Sequence, residues 1–185
     1  MNMSLLLKYL FLPYRIWWKY IIIHHSANTD HDTLDWQNIR KYHMSYRIDG
    51  HIVSKNEWLR RKKVKDGKRF ELPWRDIGYH FGVEKIKGQY EVLLGRPITE
   101  YGAHCKGHGM NKKALGVCFI GDYDKYKPSR EMLQFTAKRL IIPLLKISGL
   151  EIECIKGHRD FADTNCPGRN FNLEDFKDLI KTLSL

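Results

Sequence analysis

Apolar and polar positions along this chain switch repeatedly between a period of two and a period near 3.6, and that switching predicts its elements. Tyr20-Ile21-Ile22-Ile23-His24-His25-Ser26 is a β-branched run that turns polar at its end, the pattern of a central strand buried on both faces. Asp32 or Thr33 can cap a helix carrying Leu34, Ile39 and Tyr42 or His43 as its apolar stripe and ending near Met44 to Tyr46. Asp76 to Glu84 reads as a turn leading into a strand, and Tyr90 to Leu94 as its hairpin partner around Lys87-Gly88-Gln89, stopped by Gly95-Arg96-Pro97. Leu115 to Gly121 is a further apolar strand, in which Cys118 reads as core packing. Ser129 to Ser148 predicts a long helix with Met132, Leu133, Phe135, Leu140, Ile141, Leu144 and Leu145 on its apolar side, kinked or split at Pro143. Ile152 to Lys156 returns to a strand, and Leu173 to Leu183 closes the chain as an amphipathic helix with Asn172 as its cap. Strands and helices alternate, so the expected class is α/β: one domain over residues 1–185, with a central mixed β-sheet flanked by helices.

Two stretches stand outside this pattern. Residues 1–19 are apolar and aromatic, with Leu5-Leu6-Leu7, Tyr9-Leu10-Phe11-Leu12 and Trp17-Trp18, but Lys8 and Pro13 interrupt them and Arg15 and Lys19 follow. No small-residue cleavage site appears, so no signal peptide is recognisable, and the run is shorter than the about 20 apolar residues of a spanning helix. The segment is expected to be a short helix packed on the domain, or an interfacial anchor whose aromatics and cations suit a membrane surface. Residues 47–75 read as a basic insertion: between Lys55 and Arg69 eight Lys or Arg residues stand against Glu57 and Asp66. Such a run is either a solvated face or a docking patch for an anionic polymer.

Composition adds charge to this picture. Of 185 residues, 43% are hydrophobic and 29% charged, as in ordinary globular proteins, but the net charge is +11. That excess points to an anionic partner: nucleic acid, an anionic membrane surface or a bacterial wall. No nucleic-acid-binding motif accompanies it, so no specific nucleic acid is expected. Cys105, Cys118, Cys154 and Cys166 are too sparse for a disulfide scaffold and lack paired C-x-x-C spacing.

The chemistry concentrates in Gly157-His158-Arg159-Asp160-Phe161-Ala162-Asp163-Thr164-Asn165-Cys166-Pro167-Gly168, where an imidazole and a thiol share a polar loop. Both suit zinc, which prefers nitrogen and sulfur donors. A third donor comes from the strand ending in His24 and His25, whose side chains must point to opposite faces. The Gly- and His-rich loop Tyr101 to Asn111 adds His104 and His108. Three protein ligands from separate segments, with one open position, is the arrangement of a catalytic zinc, which activates water and polarises a carbonyl at the strand ends.

These residues carry a resemblance. Ile23-His24-His25-Ser26-Ala27, Asp76-Ile77-Gly78-Tyr79-His80-Phe81, Gly95-Arg96-Pro97, Gly102-Ala103-His104, Gly116-Val117, Ile120-Gly121-Asp122, and Gly157-His158-Arg159-Asp160 through Cys166-Pro167-Gly168 follow one another in order and spacing. Together they resemble the zinc-dependent N-acetylmuramoyl-L-alanine amidases of the phage-lysozyme and peptidoglycan-recognition-protein type, from about Tyr20 to the C-terminus. The resemblance implies a peptidoglycan substrate, cleaved at the amide between the lactyl group of N-acetylmuramic acid and the L-alanine of the stem peptide. It implies one zinc ion per chain on His24, His158 and Cys166, with His25 as the fallback for His24, and it matches Tyr79 to an active-site tyrosine. Some phage members place a catalytic lysine two positions before the cysteine ligand; here that position is Thr164, which recognition-type amidases tolerate. His104 is expected near the metal as an auxiliary donor or as a loop anchor. The biological expectation is a phage endolysin, moving from host cytoplasm to the cell wall, with a non-catalytic peptidoglycan-recognition module as the alternative. The basic insertion and the N-terminal segment would add contacts to an anionic wall polymer or a membrane surface.

Overall fold

The computed structural model describes residues 18–27, 35–64 and 67–185. Its centre is a five-stranded mixed sheet of β1 (Tyr20–His25), β5 (Phe81–Ile86), β6 (Gln89–Leu94), β7 (Ala114–Phe119) and β8 (Ile155–Gly157), ordered β6-β5-β7-β1-β8. β5, β7, β1 and β8 run parallel to their neighbours, and the β6 edge is antiparallel to β5. The all-apolar centre of β1 explains its place: Ile21, Ile22 and Ile23 are fully buried, each worth about 1.5–3 kcal/mol relative to exposure. Ile21 and Ile23 join the main core beneath the C-terminal helices, whereas Ile22 packs with Cys105, Met110 and Ala114 on the other face.

The helices are α1 (Trp36–His43), α2 (Lys55–Lys62), α3 (Arg130–Thr136), α4 (Ile142–Ser148) and α5 (Leu173–Ser184). Asp35 caps α1, its carboxylate accepting the Asn38 N–H at 2.7 Å; Asp32 and Thr33, the caps expected from sequence, lie outside the described residues. Between α3 and α4 the chain widens into a π turn over Ala137–Ile141, in which the Ile142 N–H bonds the Ala137 carbonyl. The register change comes just before Pro143, the residue that lacks a donor, so the expected split of the long helix takes this form. Asn172 caps α5 by accepting the Glu174 and Asp175 N–H groups.

Two boundaries differ from expectation. Ile152–Cys154 forms a 3-10 turn rather than strand, leaving only Ile155–Gly157 to pair with Ile21–Ile23 at the sheet edge. β7 stops at Phe119, short of Gly121, whose φ of +147° leaves the strand region. The Tyr101 to Asn111 loop is irregular apart from a 3-10 turn over Gly107–Lys112.

Of the apolar N-terminal segment, residues 1–17 lie outside the described residues. Trp18 is buried, donating its indole N–H to the Ile98 carbonyl at 3.1 Å. The basic stretch of residues 47–75 builds its own three-stranded antiparallel sheet, β3 (His51–Ile52), β2 (Arg47–Ile48) and β4 (Phe70–Glu71), with Trp58 of α2 packed against it. Trp58 of α2 packs on Tyr46 and Phe70. Arg47 is buried and gives its guanidinium to the carbonyls of Tyr42, His43 and Ser45, at and just beyond the C-terminal end of α1, and to Glu71 at 3.4 Å. The two ends of this small sheet's chain meet at one neck, where the Trp74 N–H bonds the His43 carbonyl at 2.8 Å. On the outward face of α2, Leu59 is exposed, with Lys55, Asn56, Lys62 and Lys63 three or four positions away on the same helical surface.

Candidate metal centre

β1 and β8 end side by side, and this brings the sequence-predicted ligands together. The donor atoms of His24, His158 and Cys166 all lie within 4.8 Å of one another. Nδ1 of His24 is 3.6 Å from Cys166 Sγ, and the His24 and His158 rings are 4.6 Å apart. The cysteine loop is tied down by its neighbours. Asp160 accepts the Gly157 N–H at 2.9 Å, the Arg159 N–H bonds the Cys166 carbonyl at 2.8 Å, and the Arg159 guanidinium bonds the Gly168 and Phe171 carbonyls.

Electrostatics keep this group neutral in the free protein. Burial, followed by the neighbouring His104, His158 and His25 rings, holds the His24 pKa well below its ordinary value. Burial also lowers that of His158. Burial pushes the Cys166 thiol up to about 12, although it accepts the His25 N–H at 3.4 Å. The thiol proton therefore stays in place until a cation displaces it.

His25, the fallback ligand, faces the helical core. Its Nδ1 accepts the Tyr123 N–H at 3.1 Å and its ring stacks on Tyr123, so strand alternation takes it away from the other donors. Tyr79 is half-buried with its ring 5.2 Å from that of His24. Burial, then the Cys118 and Cys166 thiols, raises its phenol well above its ordinary pKa, which keeps the hydroxyl a donor. Thr164 accepts the Cys166 N–H on Oγ1 at 3.2 Å, a turn that orients the cysteine. His104 stands behind His24 with both ring nitrogens engaged: Nδ1 lies 2.9 Å from His24 Nε2, and Nε2 lies 3.1 Å from the Ala114 carbonyl. His108 of the same loop lies against Phe161 instead, with its ring centroid 6.2 Å away.

One neighbour escaped sequence reasoning. Cys118 pairs with His24 across the parallel β1–β7 register, so both side chains leave the sheet on the same side. Its buried side chain belongs to the apolar cluster against which Tyr79 packs, and its thiol helps to hold the Tyr79 phenol protonated. The register that creates this contact is tertiary and leaves no local signal.

The donor set fits zinc. Zinc–nitrogen and zinc–sulfur bonds near 2.0–2.3 Å in a tetrahedron place donor atoms about 3.3–3.6 Å apart, close to the His24–Cys166 separation already present. Two neutral imidazoles and one thiol losing its proton on binding are also the donors zinc prefers. Three donors among the described residues would leave a fourth position open.

Comparison with known proteins places this geometry in a family. Residues 14–169 match the family model described as N-acetylmuramoyl-L-alanine amidase. Peptidoglycan-recognition protein LB of Drosophila melanogaster is 32% identical over 107 residues, 58% of this chain and 44% of that protein. Peptidoglycan-recognition protein SC2 of the same fly is 28% identical over 158 residues, 82% of this chain and 68% of that protein. The chain thus spans under half of the first of these relatives and about two thirds of the second. Among solved structures, the endolysin N-acetylmuramoyl-L-alanine amidase LysCS from Clostridium intestinale superposes with a TM-score of 0.62 at 23% identity, over 91% of this chain and 86% of that one, which shows a shared fold. From its matched length, its mixed sheet and its converging histidines and cysteine, the chain belongs to the N-acetylmuramoyl-L-alanine amidase family.

Proposed function

We propose that the chain is a zinc-dependent amidase that hydrolyses peptidoglycan between the lactyl group of N-acetylmuramic acid and the L-alanine of the stem peptide. The observation that carries this reading is the convergence of His24, His158 and Cys166 within 4.8 Å at the ends of two adjacent strands. His24 and His158 would hold the metal as neutral imidazoles and Cys166 as a thiolate. When bound, zinc supplies Lewis-acid polarisation of the scissile carbonyl and activation of water. Tyr79 contributes a phenol that burial keeps protonated beside His24, and it donates to the oxygen where negative charge develops. Thr164 and Arg159 hold the cysteine loop still.

Product analysis of digested peptidoglycan tests this. New L-alanine amino termini should appear, vanish with a chelator and return with zinc. Tyr79→Phe should keep its metal and slow cleavage by about 10²–10³-fold, the usual effect of losing one oxyanion donor. Wall binding without new amino termini would favour a recognition module over an enzyme, and cleavage that persists in metal-free protein would exclude this mechanism.

We further infer a lytic, endolysin-like role at the bacterial wall, supported by the net charge of +11. The exposed cationic face of α2 would dock on an anionic wall polymer, the membrane surface being the competing partner. Among the described residues, no helix is long and apolar enough to cross a membrane. Lys55, Arg60 and Lys63 changed together to Gln should weaken retention on intact walls and flatten its salt dependence. Cleavage of a short soluble muropeptide should be unchanged. Retention on walls that ignores these charges, or that shifts to lipid vesicles, would remove the inferred docking.

A further inference from the structure

We propose that His104 is the positioning residue of the metal centre, fixing the tautomer and ring plane of His24 so that Nδ1 of His24 is the nitrogen offered to the metal. This rests on the reading of His24, His158 and Cys166 as the ligand set.

The argument is one of donors and acceptors. The Ala114 carbonyl can only accept, and it lies 3.1 Å from Nε2 of His104, so that nitrogen carries the hydrogen. A neutral imidazole has one N–H, which leaves Nδ1 of His104 with its lone pair. That lone pair lies 2.9 Å from Nε2 of His24, which must therefore donate. His24 then has a bare Nδ1, and this is the nitrogen 3.6 Å from Cys166 Sγ. Polarity runs in one direction, from His24 through His104 to a main-chain carbonyl. Metal-ligating histidines usually give their second N–H to a carboxylate or a carbonyl; here a second imidazole is interposed and adds no charge to the buried site.

The fold makes room for this ring. A Cβ at Gly102 would stand 2.4 Å from Cδ2 of His104, and one at Gly116 would stand 2.6 Å from both Cδ2 and Cγ. Any side chain at either position would displace the imidazole. His80 stands behind it, ring centroid 5.7 Å away and nearly perpendicular. His80 is itself pinned, accepting the Gly116 N–H on Nδ1 at 2.9 Å and donating from Nε2 to the Glu100 carbonyl at 3.0 Å. His104 meets His24 edge-on, at 83° and 5.0 Å. With both nitrogens used and the ring buried behind a ligand, His104 acts through His24 rather than on substrate.

His104→Asn and His104→Leu separate positioning from packing, because the two side chains are close in size and only Asn offers an acceptor. Two readouts are taken: nitrogen-15 imidazole spectra of the metal-free protein, and zinc affinity by competition with a chelator. In the unaltered protein His24 should be the Nε2–H tautomer. The Leu variant should lose that bias and bind zinc ten- to a hundredfold more weakly, the usual loss for an orienting partner, while the Asn variant stays within a few fold. Equal losses in both variants, or an Nδ1–H tautomer of His24 in the unaltered protein, would overturn the proposal. Failure of the unaltered protein to bind zinc would instead strike the ligand assignment, and the tautomer spectrum would still decide the role of His104.

Discussion

Cys166→Ser is expected to abolish zinc retention and amide cleavage together while leaving the fold in place. The thiol is the only one of the three donors whose proton must leave on binding, and a serine hydroxyl is far less acidic and a poorer partner for zinc. The loss of affinity should exceed the ten- to hundredfold that removing an orienting neighbour costs. The fold should survive because oxygen can still accept the His25 N–H that Sγ accepts at 3.4 Å. The same thiol sets the pH dependence. It sits at about 12 in the free protein, and both histidine ligands are held below their ordinary range. Zinc uptake near neutrality should therefore release about one proton, and affinity should rise about tenfold per pH unit. Chelator competition across that range measures the slope. Amide cleavage by the serine variant equal to that of the unaltered protein would refute the role of the thiolate.

Mild acid should unfold the metal-free protein. His43 and His80 are each lowered from 6.5 to about 4, burial being the first cause, with Arg47 and Arg96 opposing a charge on His43 and Arg96 opposing one on His80. Both are depressed, so the unfolded chain binds more protons than the folded one between these values. Their stabilisation is complete above pH 6.5 and is lost as pH falls towards 4. Each shift corresponds to about 3 kcal/mol, and two together are a large share of a typical domain's stability. Lower still, Glu71 and Asp76 add to the loss. Although burial raises both, the hydrogen bonds from Arg47 and Arg69 hold Glu71 below its ordinary value, and those from Arg40 and the Ile77 N–H do so for Asp76. Urea titrations in chelator at pH 7 and pH 4.5 test this; a midpoint that stays put would contradict it.

Much of this molecule is legible in its residue pattern because its sheet is built from strands with unambiguous faces. Ile21 to Ile23 mark a strand without solvent, and strict alternation at its end puts His24 and His25 on opposite faces from the sequence alone. The loop holding His158 and Cys166 declares itself through donor type and turn residues. What stays hidden depends on register and on distance along the chain. Cys118 looks like core and is core, yet the β1–β7 pairing also sets it in the cluster against which Tyr79 packs. His104 is one histidine in an irregular loop until the glycines at 102 and 116 are seen to shape its slot. Arg47 sits in sequence at the edge of a basic run, and nothing local distinguishes it from its solvated neighbours, although it is buried. The π turn before Pro143 is a compromise between a missing donor and an apolar stripe that still has to be buried.

The neck at His43 and Trp74 has a consequence for how this protein can change over time. Chain enters and leaves the small sheet at one point, closed by a 2.8 Å main-chain bond, so its outer part can lengthen, shorten or be exchanged without displacing Tyr79 or the cluster of His24, His158 and Cys166. Such a segment is free to change its own surface while the histidine–cysteine cluster stays fixed. Arg47 is the exception, since its guanidinium closes the end of α1. Drift in residues 47–75 should spare that arginine and little else.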